Sequence, residues 1–254
     1  MAERYRFSYG PHTVYAHVVA LIERHRQQAG TVVVDLGCGY GPAAEPLRDL
    51  GLTYIGADRA SDGLADLAGR GFATIAVDLR DPAATVTAIR AELAGRRLAA
   101  LSAMDVIEHT TNAEAILSAL HELAVEAGNC PLVLSVPNVT HLDLAAKTLI
   151  GRWDVTPTGL LDETHVSLFS ERRLTAVTRR GGWVEFAAHD FDLLRSDQHQ
   201  PEQAAVLAEA TPLHQLLAAV RTQAGGRPTP SNSSGPTPPP ASPPTSPPTG
   251  RPRS

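Results

Sequence analysis

Short apolar runs alternate with stretches of helical periodicity between about Thr31 and Val136. Such alternation is typical of βαβ units, whose right-handed crossovers make neighbouring strands parallel and place helices on both faces of the sheet. The pattern therefore predicts an α/β fold with a doubly wound, mostly parallel sheet. Five runs are expected as strands: TVVVDLG, LTYIGAD, FATIAVD, LAALSAMD and PLVLSVPN.

Two of the intervening helices carry clear start signals. Asp81 precedes Pro82, and Asn112 precedes AEAILSALHELAVEAG with Glu114 in the first turn. Side-chain oxygens at the N-cap, proline at the first helical position and acidic residues in the first turn all favour helix initiation.

The pattern changes after Pro137. A long connection, residues 138–170, is expected to contain a short helix and to lie on the acceptor side of the site. A helix at ERRLTAVTRR and a sixth strand at WVEFAAHDFDLL are expected to follow. The segment EQAAVLAEATPLHQLLAAVRTQ predicts a helix with a break near Pro212.

Residues 225–254 are rich in proline, serine and threonine and lack the apolar residues that would offset the entropy of ordering. We therefore predict one folded domain over residues 1–224, with a core at about 31–137, and a disordered tail over 225–254.

Composition excludes several classes of protein. A formal net charge of -5 and a pI near 6.0 do not predict a nucleic-acid partner. Two cysteines, Cys38 and Cys130, indicate no disulfide framework and fit a reducing cytoplasm. The sequence shows no signal-peptide pattern and no apolar run of the roughly 20 residues that a spanning helix requires, so no membrane association is expected.

The segment VVVDLGCGYGP is the most informative one, because an apolar strand runs into Gly37, Gly39 and Gly41 and then into a helix. Such glycines let the backbone turn tightly and approach a ligand closely. Dinucleotide-binding proteins use G-x-G-x-x-G at the same place, but here Pro42 stands where that pattern has its last glycine. Asp35 would repel a pyrophosphate and attract an ammonium or sulfonium group, which favours a cationic ligand.

Acidic residues also end the second and third strands, at the edge where open α/β sheets bind ligands. Asp58 could accept both hydroxyls of a ribose, and Asp78 could accept an exocyclic adenine amine while Leu79 packs on the ring. Each has an alternative role: Asp35 could cap the loop, Asp58 could cap the next helix, and Asp78 could end its strand in a turn.

Taken together, VVVDLGCGYGP, IGAD, AVDLRD, MDVIEH and SVPN resemble the successive motifs of class I S-adenosylmethionine-dependent methyltransferases. DVIEHT resembles the ubiquinone-type O-methyltransferase subgroup, and GLLDETHVSLFS is similar to a stretch of bacterial methyltransferases of glycosyl and natural-product pathways. The resemblance covers about residues 13 to 222. It implies a Rossmann-like methyltransferase fold and S-adenosyl-L-methionine as the cofactor.

The resemblance also implies which residues hold the cofactor. Gly37, Gly39 and Gly41 would meet its amino-acid part, Asp58 the ribose, Asp78 and Leu79 the adenine, and Met104 and Asp105 the methionine side. Members of the family usually close the sheet with an antiparallel seventh strand, but no apolar strand follows Arg221. Either the sheet edge stays open or is filled from elsewhere, or a shifted reading frame has replaced the native end.

A hydroxyl acceptor must lose a proton, which a histidine or carboxylate could accept. We expect His165 to be the catalytic residue, with His109 as the second choice. Further candidates lie after the fourth and fifth strands and in the long connection: Glu108, Asn138, His141 and Asp162. Alternatively, Asp162, Thr164 and His165 form a turn that pins the loop, and Glu108 and His109 hold the start of the next helix.

No cluster with zinc-ligand spacing is present, so no metal is predicted. Tyr5, Tyr9 and Tyr15 could close over the cofactor, while the residues between them and the first strand pack as a helix on the sheet. The expected activity is methyl transfer to a small-molecule acceptor, a hydroxyl of a sugar or natural-product-like metabolite. The alternatives are an NAD(P)-dependent reductase of the same fold and a degenerate domain that binds cofactor without turnover.

Overall fold

The computed structural model describes residues 6–189 and 195–223. Five parallel strands form one sheet with the order β3-β2-β1-β4-β5. The α/β fold class and all five predicted strands are confirmed. They are β1 (Val32–Leu36), β2 (Thr53–Asp58), β3 (Ala73–Ala76), β4 (Leu98–Met104) and β5 (Leu132–Ser135).

Five helices alternate with these strands, and three more follow β5. They are α1 (Val14–His25), α2 (Ala44–Asp49), α3 (Ser61–Gly69), α4 (Pro82–Leu93), α5 (Ala113–Glu126), α6 (Leu142–Leu149), α7 (Glu171–Arg180) and α8 (Pro212–Gln223). Both predicted start signals are confirmed: the Asp81 side chain accepts a hydrogen bond from the Ala84 amide, and the Asn112 side chain accepts one from the Ala115 amide.

The central strand β1 is completely buried, and its side chains alternate between two layers of helices. Val32, Val34 and Leu36 pack in the core with residues of α4 and α5, while Val33 packs in the core with residues of α1, α2 and α3. Helices therefore cover both faces of the sheet. The strand order reverses between β1 and β4, and the crevice at the carboxyl end of such a switch point is where this architecture binds ligands.

Two expectations about the last third of the chain need correction. Residues 183–189 form no strand, and Val184 and Phe186 are largely exposed. The alternating apolar pattern reveals a strand-like segment but not whether a neighbouring strand lies within hydrogen-bonding reach. The rest of that predicted strand, residues 190–194, lies outside the described residues.

The second correction concerns the predicted helix before Pro212. Only a short 3₁₀ turn, Ala205–Leu207, is present there, and α8 begins at Pro212 itself. The residue before a proline avoids helical backbone angles, and the Thr211 side chain donates to the carbonyls of Val206 and Ala208 instead. The helix in the long connection is confirmed as α6. The predicted tail, residues 225–254, lies outside the described residues.

The 3₁₀ turn and α8 pack on α6 and form a small separate core with it, around Ala146, Ala204 and Leu207. We use the name cap for two segments: residues 142–168, which contain α6 and the chain that follows it, and residues 195–223. Among the described residues, none of the helices combines the length and apolar character that crossing a membrane demands.

Candidate functional site

A cleft of about 1720 Å³ opens at the carboxyl ends of the strands and continues along the outer side of β5. This volume exceeds the roughly 300–1,000 Å³ typical of small-molecule sites. Its lining extends along β5, because the residues of this strand and its flanks from Cys130 to Pro137 all line the cleft.

The glycine loop after β1 forms one wall of the cleft. Gly37, Gly39 and Gly41 all have positive φ angles, of 65°, 53° and 62°, which favour glycine. A Cβ at Gly37 would overlap the Val106 side chain. Gly37 and Gly39 line the cleft, whereas Gly41 does not and packs against Leu67. Gly41 thus has a packing role, and its predicted ligand contact stays a prediction.

Asp58 holds this loop to the end of β2. Its Oδ2 accepts a hydrogen bond of 2.8 Å from the Gly39 amide, and its Oδ1 accepts one of 2.7 Å from the Ala60 amide. The carboxylate also lines the cleft. Asp58 therefore stabilises the turn. It does not cap the next helix, because the N-cap of α3 is Ala60, without a side-chain cap hydrogen bond. The predicted contact of Asp58 with a ribose stays a prediction.

Asp35 does not line the cleft, and its predicted contact with the ligand stays a prediction. The side chain is fully buried and accepts hydrogen bonds of 2.7 Å from both the Tyr54 and the Ser102 hydroxyl. It points with Val33 toward the layer of α1, α2 and α3, because side chains alternate along a strand. Burial raises its pKa to about 6, and the two hydroxyls oppose that rise.

Asp78 and Leu79 lie at the end of β3 and line the cleft as predicted. Arg80 donates hydrogen bonds to the Asp78 carboxylate, and its Nε lies 2.9 Å from Oδ1 and 3.0 Å from Oδ2. These hydrogen bonds lower the pKa of Asp78 to about 2. An amine that bound Asp78 would have to share the carboxylate with Arg80, a competition that the sequence motif does not reveal.

Met104 and Asp105 line the cleft at the end of β4. Asp105 has a positive φ of 51° and accepts a hydrogen bond of 2.9 Å from the Ser135 hydroxyl. The side chain is exposed to the cleft, yet desolvation by the enclosing walls raises its pKa. Such a backbone angle is uncommon for a residue other than glycine and is a frequent feature of functional sites.

Three polar side chains meet at the acceptor end of the cleft. Glu108 is 1% exposed, and its Oε1 lies 3.9 Å from the His165 Nε2. The rings of His109 and His165 lie 4.9 Å apart, edge to face. The donor atoms of all three lie within 4.8 Å of one another, a spacing that could also bind a metal ion. The spacing of these three residues along the sequence could not predict the cluster, because the loop that carries His165 belongs to the cap.

The Glu108 carboxylate accepts no hydrogen bond from another side chain or backbone group in residues 6–189 and 195–223. Burial, together with the nearby charge of Asp105, raises its pKa to about 9. The pKa of His165 is lowered by burial and by His109, while Asp162 and Asp197 act in the opposite direction. The site therefore favours the uncharged forms of both Glu108 and His165, a pair suited to exchanging protons with an acceptor.

The alternative role of the His165 segment is also present. Asp162 accepts hydrogen bonds of 2.7 and 2.8 Å from the Thr164 amide and hydroxyl, and the Thr164 hydroxyl lies 3.0 Å from the His109 Nδ1. The Glu108 carbonyl accepts from the amides of Val166 and Ser167. The turn thus pins the loop and, by doing so, brings His165 to the cleft.

Sequence reasoning missed Gly63, in the first turn of α3. A Cβ there would overlap the Gly39 carbonyl oxygen, so only glycine lets α3 approach the loop this closely. Tyr15 lines the cleft from α1, and burial raises its pKa. Tyr9 is exposed and Tyr5 lies outside the described residues.

The family model of a methyltransferase domain matches residues 7–185, more than half of the chain. The chain belongs to the methyltransferase domain family. The match confirms the predicted membership of the S-adenosylmethionine-dependent methyltransferases. The matched range spans the glycine loop, the ends of all five strands and the segment that carries His165.

Curated relatives include ubiquinone biosynthesis O-methyltransferases. That of Agrobacterium fabrum is 31% identical over 106 residues, 41% of this chain and 40% of that protein. That of Ruegeria pomeroyi is 27% identical over 186 residues, 69% of this chain and 62% of that protein. The matched region is thus less than two thirds of either relative. The solved magnesium protoporphyrin IX methyltransferase of Synechocystis PCC 6803 is 19% identical, with a TM-score of 0.46, over 66% of this chain and 71% of that one.

Proposed function

We propose that this methyltransferase domain transfers a methyl group from S-adenosylmethionine to a hydroxyl of a small molecule, such as a sugar or a natural-product-like metabolite. The supporting observation is the continuity of one cleft from the glycine loop and Asp58 to the group of Glu108, His109 and His165. A cofactor bound at the first end would share one cleft with an acceptor bound at the second.

The residues present fit the cofactor at three points. The loop at Gly37 and Gly39 allows close approach of a ligand to the backbone, Asp58 offers carboxylate oxygens, and Asp105 offers a carboxylate on the methionine side. When bound, S-adenosylmethionine supplies an electrophilic methyl group on a cationic sulfur. The protein's task is to orient the acceptor oxygen and to exclude water.

His165 is proposed to accept the proton of the acceptor hydroxyl. Its lowered pKa keeps the imidazole neutral near pH 7, which a proton acceptor requires. His109 contacts the His165 ring and hydrogen-bonds with Thr164, so it holds the cap loop against the core. The buried, protonated Glu108 is placed to donate a hydrogen bond to the same oxygen.

The test combines calorimetry with an acceptor panel. We expect purified protein to bind S-adenosylhomocysteine and to methylate at least one of a set of sugars, catechol-type compounds and polyketides when supplied with isotope-labelled S-adenosylmethionine. Binding without transfer to any acceptor would favour the degenerate domain. Turnover that EDTA abolishes and a divalent metal restores would assign the three-residue cluster to a metal instead of to proton transfer.

The reductase alternative loses one argument against it and keeps another. Asp35 does not line the cleft, so it makes no direct contact there that would discriminate between a pyrophosphate and a sulfonium. Pro42 still replaces the last glycine of the dinucleotide pattern. Thermal protection by NAD(P) and none by S-adenosylhomocysteine would overturn the proposed function.

A further inference from the structure

Lys147 is the only lysine in the chain, and it is buried in the cap at 1% exposure. Its ammonium donates a hydrogen bond of 2.8 Å to Gln198 Oε1 and lies 3.1 Å from Asp154 Oδ2. Arg152 Nη2 pairs with the same Asp154 Oδ2, at 2.6 Å. All the other residues counted as lysine or arginine are arginines. The planar guanidinium group of arginine is larger than the ammonium group of lysine and has a different shape. A compact ammonium is what this buried space accommodates.

Gln198 is fully buried, and the hydrogen bond from Lys147 fixes the orientation of its side-chain amide. Because its Oε1 accepts from Lys147, its Nε2 must face the other way, toward Asp197 Oδ2 at 3.2 Å and Thr156 Oγ1 at 3.2 Å. An amide whose oxygen is fixed in this way cannot flip without leaving a buried ammonium without that acceptor.

Asp197 connects Gln198 to the loop that carries His165. Its Oδ1 accepts a hydrogen bond of 3.1 Å from the Leu160 amide. Leu160 lies in a turn in which the Gly159 carbonyl accepts from the Asp162 amide at 3.2 Å and the Asp162 carbonyl accepts from the His165 amide at 3.0 Å. The Asp197 carboxylate packs directly on Gly159, where a Cβ would overlap it and where φ is +96°. Asp197, Leu160 and His165 all line the cleft.

We propose that Lys147, Gln198 and Asp197 are positioning residues for His165. Asp197 holds the turn at Gly159 and Leu160, and the backbone hydrogen bonds of that turn continue through Asp162 to His165 and so place its imidazole at the acceptor end of the cleft. This inference rests on the proposed function of His165. The link is not needed merely to attach residues 195–200 to α6, because Asp143 of α6 already accepts hydrogen bonds from the Ser196 amide and hydroxyl at 2.9 and 2.8 Å.

The test exchanges donor and acceptor between Asp197 and Gln198. Asp197→Asn places an amide donor against the Gln198 amide donor, and Gln198→Glu places two carboxylates together while keeping an acceptor for Lys147. The double variant restores one donor and one acceptor across the 3.2 Å contact. Gln200→Glu is the matched control, because its side chain reaches only the Asp197 carbonyl, at 3.4 Å.

We expect each single variant to lower kcat at least tenfold, since displacement of a catalytic group by about 1 Å can cost on the order of a hundredfold in rate. The double variant should recover to within about threefold of wild type, and affinity for S-adenosylhomocysteine should stay within about twofold throughout. Single variants with wild-type kcat, or a double variant no faster than the slower single one, would overturn the proposal.

A second measurement separates this inference from the proposed function. Ring ¹⁵N NMR signals of His165, assigned by their loss in His165→Gln, should move in both single variants and return in the double variant. If wild type transfers no methyl group but these signals follow that pattern, the positioning link stands and the proposed reaction fails. If the signals do not respond to either single variant, the link itself is refuted.

Discussion

Asp58 offers the sharpest test of how the cleft binds its cofactor. Replacing Asp58 with alanine removes two hydrogen bonds to backbone amides, of Gly39 and Ala60, together with the carboxylate that faces the cleft. Hydrogen bonds to charged groups contribute about 1.5–3 kcal/mol each. Losing one such contact with a ribose would weaken binding about 10- to 150-fold. The unsupported glycine loop should add to this loss.

Calorimetric titration with S-adenosylhomocysteine measures the change directly. Asp81→Ala is the matched control, because it also removes a carboxylate that accepts a backbone amide hydrogen bond, at the start of α4, but outside the cleft lining. It should cost about 1 kcal/mol of stability and leave affinity unchanged. Equal affinities for Asp58→Ala and wild type, both still folded by circular dichroism, would refute the ribose assignment.

Three further predictions concern catalysis, pH and packing. His165→Gln should lower kcat about 10²- to 10⁴-fold with unchanged binding of S-adenosylhomocysteine. The kcat of wild type should fall only at pH values below about 6.5, the ordinary pKa of histidine, because burial lowers the pKa of His165. A decline of kcat that already begins above pH 7 on acidification would contradict this. Because burial raises the pKa of Glu108 to about 9, its contribution to stability is present at low pH and declines as pH rises toward that value. Glu108→Gln should therefore melt several degrees above wild type at pH 8.5 and close to it at pH 5, and equal melting curves at both pH values would contradict the burial argument. Gly63→Ala should destabilise the fold by about 1–3 kcal/mol and abolish cofactor binding, whereas Gly69→Ala, in open space on the same helix, should be neutral or stabilising in chemical denaturation.

Those parts of the fold that depend on local pattern could be predicted from the sequence. Five apolar runs between helical stretches define a parallel sheet, and Asp81 and Asn112 mark helix starts through bonds made within three residues. The ends of parallel strands share one edge, so Asp58 and Asp78 could be assigned to the cleft from their positions alone.

Features that depend on contacts between distant segments could not be predicted. Asp35 follows the motif, yet its hydrogen-bond partners are Tyr54 and Ser102 on the two neighbouring strands. The Glu108–His165 pair joins the core to the cap, and the requirement for glycine at position 63 comes from the loop it touches. No periodicity in the sequence carries this information.

The burial of Lys147 has a practical consequence for following motions of the cap. A lysine-specific endoproteinase has a single cleavage site in this chain, and that site lies within α6, next to a side chain that is almost entirely inaccessible. Proteolysis at such a site requires local opening, and when reclosing is fast its rate follows the population of the open form. The rate at which two fragments appear on a gel therefore reports the fraction of molecules in which this helix is unfolded or detached, without any added label.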